Sequence, residues 1–67
     1  MNEIILEPNG CVSLNSRRIG AAWEYDERKR IYTARIINEP CIIIASNTAT
    51  LQKLVAEYIQ QLINKQQ

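Results

Sequence analysis

The chain contains no histidine and no phenylalanine, and among its 67 residues there are only two cysteines, two glycines and two prolines. Without histidine the commonest general acid/base and the commonest metal ligand are both missing. Ser13, Ser16 and Ser46 therefore have no imidazole to activate them, and Cys11 and Cys41 alone do not complete a four-ligand zinc site within one chain. Glu24, Asp26 and Glu27 lie on or beside a loop with three basic neighbours, a setting that does not favour a general acid. Two glycines do not make a phosphate-cradling loop, and Asn9-Gly10 reads only as a turn. The expectation is a non-enzyme with no cofactor, no metal and no evident small-molecule substrate.

Long apolar runs are also missing. The longest uncharged one, Cys41-Ile42-Ile43-Ile44-Ala45, falls far short of the ~20 residues of a membrane-spanning helix. The opening Met1-Asn2-Glu3-Ile4-Ile5-Leu6-Glu7 lacks the basic start and the longer apolar core of a secretory signal. A cytoplasmic chain is expected, with both cysteines as buried free thiols rather than a disulfide. A net charge of +1 gives little long-range field, so strong non-specific attraction to nucleic acid or anionic lipid is not expected.

What the sequence does have is pattern. Hydrophobic residues make up 46% of the chain and charged residues 22%, in the range of globular domains. Leu51, Leu54, Val55, Tyr58, Ile59, Leu62 and Ile63 recur at helical spacing, with Asn47 or Thr48 available as N-cap. This predicts an amphipathic helix over about 48–64, followed by a frayed tail at 65–67. Upstream, within 3–46, the period falls to two. Ile19, Ala21, Trp23 and Tyr25 share one face of a strand, and residues 31–37 and 41–45 form two more. Residues 3–7 and 11–14 offer further short strands around turn signals at Asn9-Gly10, Asn15-Ser16 and Asn38-Glu39-Pro40. The fold class expected is therefore α+β in a single small domain spanning 1–67. It is an antiparallel meander of three to five short strands with one C-terminal amphipathic helix packed on one face.

A loop of Asp26-Glu27-Arg28-Lys29 would set Tyr25 opposite Arg30, Trp23 opposite Tyr32, Ala21 opposite Ala34 and Ile19 opposite Ile36. The helix is then expected on Trp23, Tyr32, Ala34, Ile36, Ile42 and Ile44. This leaves Gly20, Ala22, Ile31, Thr33, Arg35, Ile37, Cys41, Ile43 and Ala45 on a second, largely apolar face. Apolar burial is worth roughly 25 cal/mol per Å², so a cluster of exposed isoleucines favours a cover, either the N-terminal strand folded back or a second copy of the chain. The expected function is a small interaction or regulatory module, self-associating as a homodimer or binding a protein partner through Ile31, Ile37, Cys41 and Ile43.

An alternative lies in the basic residues. Arg17, Arg18, Arg28, Lys29, Arg30 and Arg35 are six of the eight, giving the hairpins a local +3 and the remainder −2. Such hairpins suit phosphate contacts. The strands carrying Gly20-Ala21-Ala22-Trp23 and Tyr32-Thr33-Ala34-Arg35-Ile36, then a third strand and one helix, resemble the three-strand-plus-helix domains of plant ethylene-response factors and recombinase arm-binding modules. That resemblance implies a sheet inserted into the DNA major groove. Ala45-Ser46-Asn47-Thr48 entering a helix is also similar to HicB-type antitoxins. The chain departs from the first pattern in being less basic, and from the second in lacking a glycine near Pro40 and an acidic helix start. Both resemblances are of pattern, and no site residue is carried over from them.

Overall fold

The computed structural model describes residues 3–65. Five strands, β1 (Ile4–Leu6), β2 (Cys11–Leu14), β3 (Arg17–Asp26), β4 (Ile31–Ile36) and β5 (Ile42–Ala45), precede one helix, α1 (Thr48–Lys65). The strands form a single sheet in the order β1-β2-β3-β4-β5, each pair antiparallel, so the α+β meander expected from the sequence is the fold observed. The sheet curls into a half-barrel with α1 in its concavity, contacting β1, β4 and β5.

Each turn has a visible cause. In Glu7-Pro8-Asn9-Gly10, the Gly10 N–H donates to the Glu7 carbonyl (3.0 Å) and the Glu7 N–H to the Cys11 carbonyl (2.9 Å). Gly10 has φ 90°, which a side chain rarely tolerates. Asn15 and Ser16 form a two-residue hairpin loop between the paired Leu14 and Arg17, both with positive φ (52° and 70°), as the twist of a tight hairpin demands. The Asn15 side chain also accepts from the Glu3 N–H at 2.8 Å, tying this turn to the start of β1.

The β3–β4 register differs from the expected one by two residues. Tyr25 lies opposite Tyr32, Trp23 opposite Ala34 and Ala21 opposite Ile36. Asp26 stays in the strand, paired with Ile31, and its carboxylate accepts from the Arg28 and Lys29 N–H groups (3.0 and 3.3 Å). The loop is therefore 27–30, closed by Arg30 at φ 55°. A shift of two keeps every residue on its expected face.

The phase of β5 is the reverse of the expected one. Ala34 pairs with Ile43 and Tyr32 with Ala45, which puts Ile43 and Ala45 on the helix side and turns Ile42 and Ile44 outward. The connection from β4 turns at Ile36–Glu39, with Asn38 at φ 65°, and β5 begins only at Ile42.

The core consists of Ile4, Val12, Ala34, Ala45, Leu51, Val55 and Ile59, with Trp23, Tyr32, Ile36, Ile43, Leu54 and Ile63 packed around it. The Trp23 indole N–H donates to the Glu7 carbonyl at 2.8 Å, so its polar edge is satisfied while its ring packs inward. α1 starts at an Asn47 cap: the Asn47 side-chain oxygen accepts from the Thr50 N–H at 2.7 Å and its carbonyl from the Leu51 N–H at 3.0 Å. The Gln52 side-chain amide donates to the Ile4 carbonyl, joining the helix to β1. The helix runs to Lys65, while the remainder of the expected frayed tail, 66 and 67, lies outside the described residues.

Candidate functional site: the outer face of the sheet

α1 fills the concave side and leaves the convex side of the sheet open. β1 pairs edge-on with β2, so the N-terminal strand is part of the sheet and does not cover this outer face. Cross-strand pairing arranges the outward residues in rows. Cys11, Ala22, Arg35 and Ile42 form one row, and Glu24, Thr33 and Ile44 form the next. Ile37, following β4, lies opposite Gly20, with its N–H donating to the Gly20 carbonyl.

Three of the exposed large apolar residues gather at the β4–β5 end, while Ile5 on β1 and Tyr25 on β3 are exposed elsewhere. Ile37 is 68% exposed, Ile44 56% and Ile42 47%. Beside them is a shallow depression lined by Ala22, Trp23, Glu24, Thr33, Ala34 and Arg35. Its neighbourhood is shaped by small side chains, and Glu24 and Arg35 stand on it with opposite charges.

Of the four residues predicted from sequence to form the contact surface, Ile37 and Cys41 are exposed and Ile31 is half-buried, on the same side of β4 as Thr33 and Arg35. Ile43 is corrected: it packs against the core, and its neighbours Ile42 and Ile44 take the outward positions. Three consecutive isoleucines carry no alternation from which this phase can be read. The thiols are corrected too, since both cysteines are free but Cys11 is half-buried and Cys41 exposed. Cys41 neighbours Tyr58, whose hydroxyl donates to the Glu39 carboxylate at 3.1 Å. Desolvation, then this bond and the charge of Glu39, then Cys41, push the Tyr58 phenol up to about 12.

The six basic residues do not come together. β3 is ten residues long, which at ~3.4 Å per residue separates its ends by roughly 30 Å. Arg17 and Arg18 lie at one end, and Arg28, Lys29 and Arg30 in the loop beyond the other, with Arg35 on the outer face between them. Tyr25, on the strand face it shares with Trp23, packs its ring at a tilt against Tyr32 (ring centroids 4.7 Å) and is 46% exposed, outside the core.

Among the described residues no group of three or more His, Cys, Asp or Glu side chains is gathered where a metal ion could sit, and no helix is long and apolar enough to cross a membrane. Comparison with protein-family models, with curated proteins and with solved structures finds no match to this chain.

Proposed function

We propose that the protein is a non-catalytic interaction module that self-associates through the outer face of its sheet. The observation that carries this reading is the exposure of Ile37, Ile42 and Ile44 together on a face that neither α1 nor β1 covers. Scattered single apolar residues on a surface need no explanation, whereas a contiguous group beside a depression marks a contact surface. The scale is adequate. A standard interface takes ~800 Å² from each partner, a modest share of the 5162 Å² this small chain exposes. A second copy is the simplest partner because a two-fold interface uses the same patch twice.

Sedimentation across a wide concentration range tests the reading. The expected result is a dimer for the unmodified chain and a monomer for Ile44→Lys, with the helical circular dichroism retained because Ile44 makes no part of the core. A monodisperse monomer of the unmodified chain at high concentration overturns it.

A further inference from the structure

The outer face carries more than apolar residues. Glu24 on β3 lies opposite Thr33, and Arg35 on β4 lies opposite Ala22, so the two charges occupy one diagonal of a four-residue plaquette and the short side chains Ala22 and Thr33 the other. Both charged residues are exposed, and neither has an ion-pair partner among the described residues. The depression they line would let an opposing surface approach closely between them.

We infer that the partner is a second copy docked face to face about a two-fold axis along the Ala22–Thr33 diagonal, so that Glu24 pairs with the partner's Arg35 and Arg35 with the partner's Glu24. This rests on the self-association reading above and adds its geometry. The two diagonals cross at about 70°, so a rotation about one carries each end of the other to within about 3 Å of the opposite end, opposite charges meet twice, and charge complementarity is what selects this arrangement over others of the same face. Alternate residues are about 6.8 Å apart along a strand and neighbouring strands about 4.8 Å apart. The axis then runs about 35° from the strands, and the two sheets cross at about 70°, near the orthogonal class of sheet packing. The same rotation brings Ile44 to about 4 Å from the axis and over the partner's Ile31, with Ile37 and Ile42 about 8 Å from the axis toward the rim.

The test is a charge exchange. Glu24→Arg alone sets two arginines against each other at both ends of the diagonal, and Arg35→Glu alone sets two glutamates. Each single variant is expected to weaken the dimer by about tenfold or more at ~50 mM salt. An equimolar mixture of the two variants restores both opposite-charge contacts, as does a single chain carrying both changes. Both are expected to recover association to within about threefold of the unmodified chain. Circular dichroism checks that each variant folds, which their exposed positions favour. If the unmodified chain dimerises but the single reversals leave its affinity unchanged, or the mixture associates no better than either variant alone, the pairing is wrong while self-association stands. If the unmodified chain is a monomer, the self-association reading falls first and this pairing with it.

Discussion

Gly20 shows how closely one residue is fitted to its neighbour. A Cβ at this position would clash with the Ile37 Cγ2 and crowd its Cβ at 3.3 Å, so an added methyl displaces the isoleucine near its root rather than at a flexible tip. Gly20→Ala is therefore expected to lower stability by about 1–3 kcal/mol, the usual range for overpacking. In an Ile37→Ala background its cost should nearly vanish. A double-mutant cycle by urea denaturation measures the coupling, and additive effects would show that the two residues do not share this space. The contact was hidden in the sequence by the register. A loop at 26–29 places Gly20 opposite Arg35, and only the Asp26 carboxylate holding the Arg28 and Lys29 amides moves the loop to 27–30 and brings Ile37 over the glycine. The turn at Asn15-Ser16, by contrast, was legible. Serine seldom adopts φ 70°, yet the two-residue loop between Leu14 and Arg17 imposes it.

Among the elements, α1 was the most legible, because its apolar spacing and the Asn47 cap are written locally and do not depend on a partner strand. Its buried line is Leu51, Val55 and Ile59, with Leu54, Tyr58, Leu62 and Ile63 half-buried on the flanks. Leu51→Ala and Ile59→Ala are each expected to cost about 2–5 kcal/mol, against a total stability of roughly 5 kcal/mol for a domain this small. Leu54→Ala should cost less than either, and the exposed Gln61→Ala close to nothing. Denaturant melts of the four variants check the order, and a harmless Leu51→Ala would remove this line from the core. The strands were legible as strands but not in phase. β3 carries Ile19, Trp23 and Tyr25 on one face with Gly20, Ala22 and Glu24 on the other, so its faces can be read, whereas Ile42-Ile43-Ile44 is uniform. Its phase is fixed by the pairing of Ala34 with Ile43, which local sequence does not contain. That is why the candidate surface could be placed on the side of the sheet opposite the helix while Ile43 was assigned to it in place of Ile42 and Ile44.

At the scale of the whole molecule, the arrangement of charge separates protein contact from nucleic-acid contact. The length of β3 distributes the basic residues between two distant hairpin ends, and Glu24, Asp26 and Glu27 stand beside the second group. With a net charge of only +1, the chain has neither a continuous basic stripe nor a strong field to guide it to phosphates. A sheet entering a groove would have to present Arg18 and Arg35 to the bases, and the same face carries Glu24 and the exposed Ile42 and Ile44. Titration of labelled random duplex at ~150 mM salt is therefore expected to show weak binding or none. Each phosphate contact contributes about −0.9 to the slope of log affinity against log salt, so whatever binding remains at low salt should have a shallow slope. Neutralising Arg28, Lys29 and Arg30 together tests the one cluster compact enough to grip phosphates. If the unmodified chain bound duplex at micromolar concentration in ~150 mM salt and the triple variant lost both the affinity and two to three units of slope, the β3–β4 loop would be a DNA contact. The isoleucine face would then need another explanation. If dimer formation is instead insensitive to salt apart from the two Glu24–Arg35 contacts, and duplex leaves it undisturbed, the hairpin charges act only as solvated turns, and the specificity of the molecule lies in the sheet face it presents to a copy of itself.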